Sequence, residues 1–280
     1  MTEIKDLKEL TEIKNMLKER KDVKNESPNN DYIQQKVDYY NNSEGNLNKI
    51  DGINCSVCKN KGYIAGINEL GYEVYTECKC KPTRDAMARA RRSGLGDILI
   101  DFTFDKYIVT EEWQKAFKDK ALSFCVDDKS KWFFVGGQSG AGKTFLCTAI
   151  AGHYIKAGRE VKYMMWCEDS KTLKALANDH TYGSEIAVYK NIDVLYIDDF
   201  LKTENDGEPT GADMRLAFEI INHRALDKNK ITIISSEYQL SEVIEFDEAT
   251  MGRLAEKAGN YVINIAKDRK KNYRLKGLTL

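Results

Sequence analysis

Gly137-Gln138-Ser139-Gly140-Ala141-Gly142-Lys143-Thr144 fits the pattern G-x-x-x-x-G-K-[ST]. Glycines in such a loop let it turn tightly and aim successive backbone N–H groups at a phosphate. The start of a following helix adds partial positive charge. Lys143 has the reach for β- and γ-phosphates, and Thr144 carries a hydroxyl suited to Mg²⁺. The pattern requires a buried strand before it and a helix after it. Trp132-Phe133-Phe134-Val135 reads as that strand and Phe145 to Ile155 as that helix. These residues point to ATP or GTP as a ligand, and nothing in them separates adenine from guanine.

Val194-Leu195-Tyr196-Ile197 reads as a second buried strand, ending in Asp198-Asp199. At such a strand end Asp198 can hold Mg²⁺ beside Thr144, and Asp199 can orient or deprotonate an attacking water. An acidic pair ending a strand is also a common solvated turn. A strand at Val161 to Trp166 lies between the two motifs. It is expected to be the extra strand that separates the phosphate-loop strand from its acidic partner, an arrangement simple nucleotide kinases usually lack. A fourth strand, Ile231 to Ile234, ends in Ser235-Ser236-Glu237. A polar group there can touch a γ-phosphate or the lytic water, or simply cap the next helix. Arg253, in Met251-Gly252-Arg253-Leu254, is either an exposed helix arginine or a cation offered to a neighbouring subunit's nucleotide.

A second constellation is Cys55-x-x-Cys58 with Cys78-x-Cys80. Four thiolates gathered by two tight turns make a closed tetrahedral site for Zn²⁺, structural rather than catalytic. A module of this size has little core, so metal would supply much of its folding free energy. The competing reading, a redox pair at Cys55 and Cys58, lacks the βαβ surroundings of a thioredoxin-like motif. Cys125, Cys147 and Cys167 sit in helix-like or strand-like contexts and read as small apolar residues. His153, His180 and His223 have no nucleophile–base pattern around them and read as surface or packing residues.

The elements that position these groups follow from the pattern of the chain. Its 280 residues allow one ordinary domain and a smaller module, and net charge −1 confines any nucleic-acid contact to a local patch. Ile4, Leu7, Leu10, Ile13 and Leu17 recur at helical spacing, giving an amphipathic helix over 1 to about 24 that needs a partner. Residues 25–50 read as an Asn- and Ser-rich linker with one short helix around Ile33 to Tyr40. Residues 84–92 read as a short basic helix. Beyond Ser93, apolar strands alternate with amphipathic helices, which is the mark of an α/β domain. The expected division is 1–50 (helical region and linker), 51–82 (zinc module) and 83–280 (ATPase domain). No apolar stretch is long enough to cross a bilayer and the first residues lack a signal-peptide core, so a cytoplasmic protein is expected.

Together these residues resemble the bacterial DnaC/DnaI-type replicative helicase loaders of the AAA+ ATPases, in the version carried by phages and prophages of Gram-positive bacteria. The resemblance runs over nearly the whole chain. It is carried by the two cysteine pairs with KNKGYI, by SGLGDILIDFTFDKY, GGQSGAGKT, VLYIDDF, LAFEIINHR, IISSEYQLSEV and MGRL, and by the closing KDRKKNYRLKG. It implies an α/β AAA+ domain with a parallel sheet flanked by helices, preceded by the zinc module. It further implies an N-terminal region that grips a DnaB-type hexameric helicase, and an ATPase domain that self-associates and binds single-stranded DNA. Under it Lys143 and Thr144 hold ATP and Mg²⁺, Asp198 supports the metal and Asp199 takes the catalytic position. Ser236 becomes the sensor, with Ser235 close behind, and Arg253 a finger acting in trans. The chain departs from related ATPases at the sensor, where Asn is common, and it shows no separate helical lid after Tyr261 to Ile265. Arg84 to Arg92, Lys171 to Lys190 and Lys267 to Lys276 are the expected DNA-facing segments, although each alone reads as solvated surface. IstB-type transposition ATPases share the core but do not typically carry the cysteine module. A nucleotide-gated adaptor and a metabolic P-loop kinase are the remaining alternatives.

Overall fold

The computed structural model describes residues 30–203 and 207–275, so the expected helix over 1–24 lies outside the described residues. The chain divides into two compact units, Met1–Lys81 and Pro82–Leu280.

In the first unit a helix, α1 (Asn30–Asn42), and a short one, α2 (Leu47–Asp51), precede a hairpin of β1 (Tyr63–Ile67) and β2 (Glu73–Glu77). The strands pair antiparallel with Tyr63 opposite Glu77 and Ile67 opposite Glu73. α1 is longer than the linker-like composition suggests, because the hairpin gives it something to pack on. Val37 is buried. The Asn41 side-chain amide bonds β1 twice, donating to the Ala65 carbonyl at 2.9 Å and accepting from the Ala65 N–H at 3.0 Å. A side chain thus stands in for a strand partner at the hairpin edge.

The second unit begins with α3 (Lys81–Ser93, its first residue on the boundary), α4 (Ile98–Asp101) and α5 (Glu112–Val126). Strand and helix then alternate: β3 (Trp132–Gly137), α6 (Lys143–Lys156), β4 (Val161–Met165), α7 (Trp166–Ala175), α8 (Tyr182–Asn191), β5 (Val194–Asp198), α9 (Gly211–Ala225) and β6 (Ile231–Ser236). α10 (Leu240–Phe246), α11 (Glu248–Ala258) and β7 (Val262–Ile265) complete the fold. The five strands form one sheet in the order β4-β5-β6-β3-β7, every neighbouring pair parallel. The strand that separates β3 from β5 is therefore β6. Val161 to Met165, expected in that place, forms the edge beyond β5, since order along the chain does not fix order across a sheet.

Every residue of β3, β5 and β6 is buried, as a parallel sheet covered on both faces requires. The two-residue period divides their side chains between two cores. Phe133, Val135, Tyr196 and Ile233 face one core with Phe117, Phe124, Leu146 and Ile150. Phe134, Leu195, Ile197 and Ile234 face the other with Trp166, Leu216, Ile220 and Leu254. Among the described residues no helix is long and apolar enough to cross a membrane.

Arg224, at the end of α9, is fully buried. Its guanidinium donates to the carbonyls of Tyr189 (3.0 Å), Ile192 (2.9 Å) and Ile231 (2.6 Å) and to the Thr232 hydroxyl (3.0 Å). Burial pulls its pKa down to about 9, against the pull of Asp227 and Asp193. These bonds pin the α8–β5 connection to the start of β6, at the end of the sheet opposite the phosphate loop. Arg224→Met would orphan several buried acceptors at about 1–3 kcal/mol each. Thermal unfolding should show a loss of at least about 3 kcal/mol, with Arg224→Lys recovering little because one ammonium lacks the planar fork.

Candidate functional site

β3 delivers the chain to Gly137, which has φ +106°, and the loop reaches the helix start at Lys143. A Cβ at Gly137 would strike the Ile265 carbonyl of β7, so only glycine permits that approach. Lys143 is buried, and its ammonium donates to the carbonyls of Gly137 and Gln138, each at 2.8 Å. Burial pushes its pKa down, while Glu237, Asp199 and Asp198 oppose that shift. The Thr144 hydroxyl lies 3.2 Å from a carboxylate oxygen of Asp198.

Asp198 is held from three sides, by the Thr144 hydroxyl, by the Tyr163 hydroxyl of β4 at 3.0 Å and by the Ser235 hydroxyl of β6. The same Ser235 oxygen accepts the Asp199 N–H at 3.3 Å. The Asp199 carboxyl is raised from its ordinary value, first by burial and then by Asp198, with Lys202 pulling the other way. A carboxyl so shifted is a better proton acceptor when ionised.

Ser139, Gly140, Gly142, Lys143, Thr144, Asp198 and Asp199 line one cavity of about 550 Å³. Gly137 and Gln138 line the adjoining one with Ser139, and Ala141 is fully buried beneath the loop. Ser236 stands apart from this group. Its hydroxyl donates to the Phe200 carbonyl at 2.8 Å, because alternate residues of a strand face opposite ways. Its neighbours Ser235 and Glu237 face the acids and the cavity instead. Arg253 is absent from the lining: it is exposed on α11 and donates to the Asn222 side chain of α9.

Two further walls of the cavity come from segments outside the expected site residues. Phe102, Lys106, Tyr107 and Ile108 form one, and Tyr273 and Arg274 of the tail form another. Phe102 stacks on Phe145 with ring centroids 4.6 Å apart. The tail folds back on the phosphate loop, its Tyr273 N–H donating to the Gly140 carbonyl at 2.9 Å and its Tyr273 hydroxyl to the Ile108 carbonyl at 3.2 Å. The aromatic run FTFDKY and the closing NYR were legible as motifs, but only the fold brings them to the loop. The cations expected to face DNA are partly engaged elsewhere, Lys174 with Asp213 at 2.5 Å, Lys190 with Glu219 at 3.1 Å and Lys267 with Glu242 at 3.1 Å.

Within the first unit, Cys55, Cys58, Cys78 and Cys80 bring their sulfurs within 4.8 Å of one another. Cys55 lies 3.7 Å from Cys78 and Cys58 lies 3.6 Å from Cys80. A tetrahedron with Zn–S bonds of about 2.3 Å has edges of about 3.8 Å, so the donor set fits zinc. The Gly62 N–H donates to Cys58 sulfur at 3.2 Å, and backbone N–H groups at Cys58 and Val57 draw the Cys55 thiol down to about 6. Both favour thiolate, the form that ligates metal.

A phosphate loop beside a strand-end acidic pair, with β6 between their strands, is the arrangement of an ATP-binding P-loop domain of the AAA+ kind. The family model for IstB-like ATP binding protein matches residues 82–269, more than half of the chain, and the chain belongs to that family. It is 28% identical over 239 residues to the phage-like element PBSX protein XkdC of Bacillus subtilis (strain 168), covering 80% of this chain and 87% of XkdC. It is 34% identical over 143 residues to uncharacterized protein YqaM of the same organism, a match spanning 50% of this chain and only 44% of YqaM. Among solved structures it is similar to the DnaC helicase loader (19% identity, TM-score 0.49, 61% of this chain and 98% of that one). DnaI is similar at 20% identity and TM-score 0.48, over 61% of this chain and 92% of that one.

If the four sulfurs hold zinc, the purified protein should carry one equivalent per chain by elemental analysis. Cys78→Ser should release the metal and lower the unfolding temperature of the first unit; an unaltered unit after metal removal would exclude a structural role.

Proposed function

We propose that this protein is an ATP-dependent loader that places a DnaB-type replicative helicase on single-stranded DNA. The feature that carries this reading over a transposition ATPase is the compact four-cysteine unit ahead of the ATPase domain, which suits a partner-gripping role. The domains of the chain are proposed as 1–50 (helical, helicase-binding region and linker), 51–82 (zinc module) and 83–280 (ATPase domain).

In the ATPase domain the loop N–H groups, Lys143 and Thr144 would bind the phosphates of ATP. Thr144 and Asp198 suit Mg²⁺, which would supply charge neutralisation on those phosphates when bound. Asp199 would accept a proton from the attacking water. Ser235, bonded to both acids, fits the sensor role better than Ser236. Among the described residues no arginine except Arg274 borders the cavity, whereas exposed Arg253 suits a finger offered to a neighbouring subunit's nucleotide. Assembly would then complete each site, which couples nucleotide state to the oligomer. Single-stranded DNA would be held by phosphate contacts, making the binding sensitive to salt and indifferent to sequence.

Light scattering after size-exclusion chromatography, with the replicative helicase of a Gram-positive host, tests the reading. A stable complex lost on removal of residues 1–82 is expected. Absence of any complex, together with ATP-dependent assembly on single-stranded DNA, would favour a transposition-type ATPase.

A further inference from the structure

The turn that follows β5 is unusual. Asp199 and Leu201 have φ of +52° and +65°, a left-handed backbone that non-glycine residues seldom adopt. It is held there from β6, where the Ser235 carbonyl accepts the Phe200 N–H at 2.8 Å and the Ser236 hydroxyl donates to the Phe200 carbonyl at 2.8 Å. Phe200 and Leu201 are both fully buried, which fixes the turn further.

The effect is to fold Lys202 back over the cavity. Its ammonium lies 3.1 Å from a Glu237 oxygen and 3.6 Å from an Asp199 oxygen, and all three side chains line the cavity with Ser139, Lys143 and Thr144. Glu237 is a poor neighbour for phosphate unless it is neutralised. Burial raises its pKa, yet hydrogen bonding from Lys202 and from the Ser139 hydroxyl of the phosphate loop brings it below its ordinary value. The bridge runs from the phosphate loop through Glu237 and Lys202 to Asp199. Each of its ionic members is about a third exposed, so the ion pairs themselves contribute little to stability. An ammonium has three donors, and the two carboxylates leave it capacity for a phosphate oxygen.

We infer that Lys202 is a second phosphate-binding lysine, which contacts the terminal phosphoryl group of a nucleoside triphosphate from the Asp199 side. This rests on the nucleotide-site reading above. In the triphosphate complex its charge is shared between the phosphate and the two carboxylates. With a diphosphate there is no terminal group to reach, and Lys202 stays with Glu237 and Asp199.

Calorimetric titration with ADP and with a non-hydrolysable ATP analogue, on wild type, Lys202→Met and Lys202→Arg, tests the assignment. Lys202→Met should weaken the analogue by about tenfold to a hundredfold, the worth of one charge-assisted hydrogen bond. ADP affinity should change by less than about twofold, and Lys202→Arg should recover most of the loss. Equal weakening of both nucleotides, or no weakening of either, would overturn the role while leaving the nucleotide site intact. Binding of neither nucleotide by the wild type would instead remove the site reading and this inference with it. Unfolding temperatures within a degree or so of wild type would show that the variants are folded.

Discussion

Carboxylates and phosphates repel one another, so a site that needs both must fix their separation by something stiffer than a loop. Here that element is β6. It lies between β3, which ends in the phosphate loop, and β5, which ends in Asp198, and it is buried along its whole length. Parallel pairing sets Val135 opposite Ser235 on one side and Ile197 opposite Ile234 on the other. Ser235 consequently arrives level with the acids, where its hydroxyl meets Asp198 and accepts the Asp199 N–H. The rest of the ATPase domain serves to keep that register. Two apolar cores clamp the sheet from either face, and buried Arg224 locks the far end of β6 to the approach of β5.

Much of this was legible in the residues. The phosphate loop, its strand and its helix could be read outright, because glycines at that spacing after a buried apolar run suit few turns except one that wraps a phosphate. The α/β class followed from strands alternating with amphipathic helices. The gathering of the two cysteine pairs could also be read, since tight turns at those spacings bring four thiols to one place. What could not be read was order across the sheet. Val161 to Met165 intervenes along the chain but lies at the sheet edge, and nothing local distinguishes an edge strand of a buried sheet from a central one. For the same reason the residues favour neither Ser235 nor Ser236 as the one that meets the acids: in a fully buried strand both faces are apolar, so the sequence carries no sign of which serine faces which way.

KDRKKNYR is basic enough to read as a nucleic-acid segment, yet Tyr273 and Arg274 are turned inward to the phosphate loop. Their placement depends on β7 ending beside Gly137 and on Gln138 joining both the Ile265 carbonyl (3.0 Å) and the Asp268 N–H (2.7 Å). A long-range constraint of that kind leaves no periodicity behind. In physical terms the loop is held at both ends, by β6 through the acids and by β7 through the tail.

The proposed function requires the acids and the phosphate loop to form one hydrolytic site. The direct measurement is ATP binding and turnover by wild type and Asp199→Asn side by side. The arrangement predicts retained binding with turnover lowered by about a hundredfold or more, the usual worth of a positioned general base. Turnover equal to wild type in the variant, or no binding of ATP by the wild type, would contradict it.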